Sequence, residues 1–251
     1  MKNIAYKTDH LANNFSQDRI TWEQFYESEC KIIEKLNFDS STNVLDIGCG
    51  CGGLGLALKE KFGVENYTGV EINALAAKVG QEMNPMGNII SGDILDVKQK
   101  ILKNDVFDAV FSLSCIDWNV QFSDMLGTAW ECVKPGGYFV ATFRLTVEVG
   151  CNDINKSYQY INYVGQKEGE VATYVVLNAN NLLQQLNIFN PSKIIAYGYF
   201  GKPSATAVTP YTEICFSAFA IQKRMLGDNR TAELNFNLPK GIRSSLESGQ
   251  Q

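Results

Sequence analysis

The strongest constraint on this chain is an apolar run that breaks into glycines and restarts at once as a helix. Val44-Leu45-Asp46-Ile47 runs into Gly48-Cys49-Gly50-Cys51-Gly52-Gly53, and Leu54, Ala57, Leu58 and Phe62 then recur at helical spacing until Gly63. A strand that turns through glycines into a helix is the first half of a βαβ unit. The alternation continues with a strand at Tyr67–Glu71, a helix at Ala74–Met83 and a strand at Asn88–Ser91. Phe107–Leu113 is apolar enough to be a strand buried on both faces, and Phe122, Met125, Leu126, Ala129 and Val133 mark the next helix. Pro135-Gly136-Gly137 turns the chain into a fifth strand, Tyr138–Leu145. This order predicts an α/β fold with a mostly parallel sheet and helices on both faces.

The flanks read differently. Residues 21–36 predict one helix, with Thr21 and Gln24 at capping-box spacing. Residues 146–177 are rich in Tyr and Asn and have little helical period, and a short helix is expected at Asn181–Leu186. Lys193–Phe200 and Thr212–Gln222 each alternate by two, and the short link between them forbids a helical crossover. They are therefore predicted to pair antiparallel. From Leu226 the chain turns polar, and Ser244–Gln251 is expected to fray.

Composition excludes several classes. The 251 residues are 45% hydrophobic, enough for a sizeable core. Lys and Arg total 22 against 27 Asp and Glu, a net charge of −5 that disfavours nucleic acid as a partner. No apolar stretch approaches the ~20 residues of a spanning helix, and the first seven residues lack the apolar core of a signal peptide. A membrane partner is therefore not expected. The seven cysteines are scattered without a disulfide framework, which predicts a reducing, cytoplasmic compartment. Cys49 and Cys51 have no second Cys or His pair nearby, so no metal is expected.

The glycine loop lets a ligand approach the backbone closely at a helix N-terminus. Its spacing is ambiguous. Gly48, Gly50 and Gly53 satisfy the dinucleotide pattern, whereas Gly48, Gly50 and Gly52 satisfy that of S-adenosylmethionine (SAM) enzymes. Asp46 favours SAM, because a carboxylate there repels a pyrophosphate but suits an ammonium and a sulfonium. Glu71 ends the second strand, where an acid accepts two ribose hydroxyls of either cofactor, and Asp93 after the third strand suits an adenine amino group.

Taken in order from Val44 to about Leu145, these residues resemble the class I SAM-dependent methyltransferase family, over roughly 100 of the 251 residues. The resemblance implies a Rossmann-like, seven-stranded, mostly parallel sheet with an antiparallel last strand. It implies that Asp46, Gly48, Gly50 and Gly52 hold the methionine part of SAM, Glu71 the ribose, and Asp93 with Ile72 and Ile94 the adenine. The turn Ser112–Asp117 would face the methyl group. It further implies an N-terminal helical lid over residues 1–40 and a SAM-binding domain over 41–225; by their place and composition, residues 146–177 are expected to be an acceptor-side insertion and 226–251 a polar tail.

The acceptor is less legible. His10, the only histidine, and Asp117 are the candidate bases, although a histidine near a terminus is more often a surface residue. The family often has an acid followed by His at the turn after the fourth strand, and here the pair is Asp117-Trp118. Ser112-Leu113-Ser114-Cys115 replaces the Asn-Pro-Pro-Tyr type of motif that faces a base amine, which leaves small molecules ahead of nucleic acids. Tyr158, Tyr160 and Tyr163 are candidates to stack on a polar ring such as a sugar, with ordinary packing as the alternative. The insertion and Tyr197–Ser204 look similar to methyltransferases of bacterial surface-sugar pathways. Two other readings stay open: a nicotinamide-dependent oxidoreductase, and a SAM-binding protein that transfers nothing. The oligomeric state is not legible.

Overall fold

A computed structural model describes residues 8–102, 106–162 and 165–248. Two helices, α1 (His10–Phe15) and α2 (Glu27–Ile33), precede the sheet. The alternating core follows as β1 (Asn43–Ile47), α3 (Gly53–Phe62), β2 (Asn66–Glu71), α4 (Ala74–Met83), β3 (Asn88–Ser91), α5 (Ile94–Leu102), β4 (Phe107–Ser112), α6 (Phe122–Cys132) and β5 (Val133–Thr146). Beyond it come β6 (Tyr158–Tyr160), β7 (Val171–Thr173), β8 (Leu177–Asn178), α7 (Ala179–Ile188), β9 (Lys193–Gly201), β10 (Ala207–Val208) and β11 (Ile214–Gln222). The chain closes with β12 (Glu233–Asn237) and α8 (Lys240–Ser248).

The main sheet runs β12-β9-β11-β5-β4-β1-β2-β3, with β8 beside the end of β5. All pairings are parallel except those of β11, which is antiparallel to both β5 and β9. Period-2 alternation gives the sheet two apolar faces. Leu45, Val110, Phe139 and Phe219 point into one core with α6, α7 and α8. Their neighbours Val44, Ala109, Val140 and Ala218 point into the other, against Ile32, Ile33 and Leu58.

Three expectations are corrected. The sheet has nine strands, not seven, because β12 extends the β9 edge and the two-residue β8 joins β5. The segment from residue 226, read as a polar tail, forms β12 and α8; of the stretch expected to fray, residues 244–248 are helical, and 249–251 lie outside the described residues. Glu233, Asn235 and Asn237 face solvent while Leu234 and Phe236 face inward, and Leu238, Ile242 and Leu246 are buried in the core. The single helix expected over 21–36 is broken. Trp22–Gln24 forms one 3-10 turn whose Gln24 Oε1 accepts from Thr21 N at 3.1 Å, as the capping spacing predicts. Phe25 and Tyr26 are then extended, and the helix restarts with the Glu29 carboxylate accepting from Tyr26 N at 2.9 Å.

Within the insertion β6 and β7 pair antiparallel, and β10 from the later β9–β11 connection joins them in a small three-stranded sheet, β10-β6-β7. The insertion packs beside the turn that follows β4, where Val175 N donates to Asp117 O at 3.1 Å.

Candidate functional site

The carboxyl ends of β1, β2, β3 and β4 open into one cavity of about 380 Å³. That is where ligands bind in open α/β sheets. Asp46, Gly48, Gly50, Glu71, Ile72, Asp93 and Ile94 all line it. Gly48, Gly50 and Gly52 all have left-handed φ, from +55° to +74°. At Gly48 a side chain would also collide with the Sγ of Cys115. Gly52 is not on the cavity wall. It is the left-handed N-cap of α3, its carbonyl accepts from Asn84 Nδ2 at 3.2 Å, and a Cβ there would meet that amide.

Gly53 is constrained by packing. Its Cβ direction is filled by the backbone carbonyl of Arg19. The third glycine of the dinucleotide pattern is therefore accounted for by the N-terminal segment packing on α3.

The two carboxylates on β1 and β2 are pre-oriented. Asp46 Oδ2 accepts from the Tyr67 hydroxyl at 2.7 Å. Glu71 Oε2 accepts from Gly50 N at 2.9 Å, and its Oε1 from Asn73 N at 2.8 Å. Glu71 thus ties the glycine loop to the start of α4. Burial pushes Asp46 up to about 7, against the Tyr67 hydrogen bond and the nearby Arg19 charge. Burial also raises Glu71, and its backbone hydrogen bonds oppose that. Asp93 lines the cavity, and its Oδ1 accepts from Leu95 N at 3.0 Å at the start of α5.

Other expected residues lie elsewhere. Ser112 is buried and off the cavity wall, because its hydroxyl accepts from Ile116 N at 3.2 Å inside the turn after β4. Asp117 is buried behind the cavity, ion-paired with Arg144 at 3.2 Å. Burial raises its carboxyl, and Arg144 opposes the shift. His10 is exposed at the start of α1 and does not line the cavity. Neither candidate base is positioned to take a proton from a molecule in the cavity. Tyr160 lines the cavity and Tyr158 does not, although their rings meet edge-on at 5.6 Å. Tyr163 lies outside the described residues.

Residues with no local motif complete the wall. Arg19 Nη2 lies 3.0 Å from both oxygens of the fully buried Glu29 carboxylate, and its guanidinium stacks 4.5 Å from the Phe25 ring centre. Asn14, Phe15, Tyr26, Trp118, Asn119, Gln159 and Asn162 line the rest of that side. Cys49, Cys51 and Cys115 also face the cavity, and burial raises all three thiols, so they are poor nucleophiles. All seven cysteines are free. No helix among the described residues is long and apolar enough to cross a membrane.

Comparison with known proteins agrees with this geometry. Residues 44–137 match the family model of a methyltransferase domain. The chain is 24% identical over 173 residues to malonyl-[acyl-carrier protein] O-methyltransferase of Calditerrivibrio nitroreducens, covering 65% of this chain and 66% of that one. It is 24% identical over 148 residues to phosphoethanolamine N-methyltransferase 1 of Zea mays, covering 56% of this chain and 27% of that one. The chain thus spans just under two thirds of one curated relative and about a quarter of the other. Among solved structures, Haemonchus contortus phosphoethanolamine N-methyltransferase 2 in complex with SAM superposes with a TM-score of 0.56. That match is 15% identical and covers 87% of this chain and 59% of that one, a likeness of fold.

Proposed function

We propose that this chain, which carries a class I methyltransferase domain of the SAM-dependent kind, moves the methyl group of SAM to a nitrogen or oxygen of a small-molecule acceptor. The observation that carries this reading is the convergence of Asp46, Glu71 and Asp93 from the ends of β1, β2 and β3 onto one cavity beside the glycine loop. Asp46 with Gly48 and Gly50 would receive the amino-acid end, Gly52 shaping the loop from behind. Glu71 would accept the ribose hydroxyls. Asp93, between Ile72 and Ile94, would accept from the adenine amino group. Arg19 is the cation on this wall whose charge reaches Asp46, and it suits the carboxylate of the same amino-acid end.

When bound, SAM supplies an already activated methyl on a sulfonium. The chain's own work is then to position the acceptor and exclude water. Phe15, Phe25, Tyr26 and Trp118 supply apolar surface, while Asn14, Asn119 and Gln159 supply polar edges. An amine acceptor arrives unprotonated and needs no base. A hydroxyl acceptor would pass its proton to solvent or to a basic group of its own as the new bond forms, because neither Asp117 nor His10 lines the cavity. This mixture of rings and amides supports a polar ring, a sugar or sugar nucleotide, as the acceptor. The test is incubation of the protein and methyl-labelled SAM with a small-molecule metabolite extract, followed by mass spectrometry. One labelled product and stoichiometric S-adenosylhomocysteine are expected. Binding of NAD with no binding of SAM would overturn the reading.

A further inference from the structure

Behind the cavity wall lies a buried charged cluster that the proposed reaction does not use directly. Arg144, near the end of β5, is 5% exposed, and Asp117 is 3% exposed. Arg144 Nη1 lies 3.2 Å from Asp117 Oδ2 and donates to the carbonyls of Asp117 at 2.9 Å and Val175 at 3.4 Å. Its guanidinium carbon sits 4.2 Å from the Trp118 ring centre and 3.9 Å from that of Tyr174. The two rings meet edge-on at 5.9 Å. The second oxygen of Asp117, Oδ1, is buried with no hydrogen-bond partner.

A buried ion pair with an unsatisfied oxygen is a poor device for stability, since apolar residues of similar volume usually do as well or better. What this cluster does achieve is orientation. One guanidinium fixes the short turn Ile116–Trp118, the strand end that carries it, and the start of the segment 174–176 that returns from the insertion. The ring it holds, Trp118, is half-buried and lines the cavity together with Cys115 and Asn119.

Building on the methyltransferase reading, we propose that Trp118 is the platform on which the acceptor ring stacks, and that Arg144 is its positioning residue. The acceptor class is a ring with one apolar face, pyranose or heteroaromatic. Stacking on an indole uses such a face, and Gln159 and Tyr160 offer polar groups at its rim. The Arg144 cation–π contact holds the indole while Asp117 holds Arg144. The cluster thereby couples the insertion to the turn that faces the reacting atom.

The experiment uses the full chain, saturating methyl-labelled SAM and serial dilutions of the metabolite extract. It compares the wild type with Trp118→Leu, Trp118→Phe and Arg144→Lys, which keeps the charge but loses the planar fork. Trp118→Leu and Arg144→Lys should raise the half-saturating extract concentration at least tenfold. Trp118→Phe should recover most of that loss, and affinity for S-adenosylhomocysteine should stay within twofold throughout. Where Arg144→Lys fails to fold, the double variant Asp117→Asn, Arg144→Met removes both buried charges together and should show the same shift. Unchanged half-saturation, or an equal loss of S-adenosylhomocysteine affinity, would overturn the proposal. No labelled product from the wild type would instead overturn the methyltransferase reading.

Discussion

The hydroxyl of Tyr67 on β2 donates to Asp46 Oδ2 on β1 at 2.7 Å, so the acid beside the glycine loop is fixed from the neighbouring strand. Both groups are buried, and burial lifts the Asp46 carboxyl from its ordinary 3.8 to about 7. The ligand-free protein therefore keeps a proton that the unfolded chain loses between about pH 4 and 7. Its contribution to stability falls as pH climbs through that window and is flat above it. An ammonium needs the carboxylate, so SAM binding should release this proton. Affinity for SAM is expected to rise with pH, by up to about tenfold per unit below pH 7, and then level off. Calorimetry between pH 5.5 and 8 in two buffers of different ionisation enthalpy measures it. Asp46→Asn should flatten the profile, and a wild-type affinity independent of pH would remove Asp46 from the binding site.

Glu71 contributes in two ways, through the loop and through the ligand. Glu71→Ala removes charge-assisted hydrogen bonds to the ribose and frees Gly50 N. The expected loss of SAM affinity is about 1.5–3 kcal/mol, a factor of roughly 10 to 150. Titration calorimetry on the folded variant decides it, and an unchanged affinity would make Glu71 a structural tie alone.

Gly53→Ala tests the N-terminal segment. The added methyl meets the Arg19 carbonyl oxygen, which is backbone and cannot rotate away. The segment must move, at a cost of about 1–3 kcal/mol in stability by overpacking. Because Arg19 moves with it, SAM affinity should fall as well. A variant with wild-type melting temperature and affinity would mean that the segment sits on α3 without consequence.

Ile242→Ala separates a packed C-terminus from a fraying one. Ile242 is fully buried in the core beneath the sheet. Truncating such a side chain costs about 2–5 kcal/mol, against less than about 0.5 kcal/mol for an exposed residue. Urea denaturation distinguishes the two.

Those contrasts show what was legible in the chain. Asp46, Glu71, Asp93 and the glycines of the cavity lie in three short stretches, at 46–53, 71–72 and 92–94, each a strand end running into its own helix. Local pattern fixes such places, and the family resemblance supplies their order. Arg19, Trp118 and Gln159 reach the same cavity from segments far apart in sequence, so no spacing relates them. Asp117 looked catalytic because it follows β4, but only the fold brings Arg144 against it and buries it. The polar average after residue 226 hid a true signal. Leu234, Phe236 and Leu238 alternate by two, and Leu238, Ile242 and Leu246 then recur every four.

Within the insertion, the two described tyrosines of β6 are expected to behave differently. Tyr160 lines the cavity, whereas Tyr158 supports it edge-on and pairs within the small sheet opposite Thr173 and Val208. Both belong to β6, which follows β5, and β4 separates β5 from the β1 that carries Asp46. Tyr160→Ala should therefore raise the apparent KM for the acceptor about tenfold, as the loss of one good aromatic contact implies. Its kcat should stay within a few-fold, and S-adenosylhomocysteine affinity should not change. Tyr160→Phe, which keeps the ring, should recover most of the loss if stacking is the interaction, and little of it if the hydroxyl makes the contact. Tyr158→Ala should act more weakly, and only through the ring it supports. Equal KM values for Tyr160→Ala and the wild type would make the insertion a structural cap and leave acceptor recognition to Phe15, Tyr26 and Trp118.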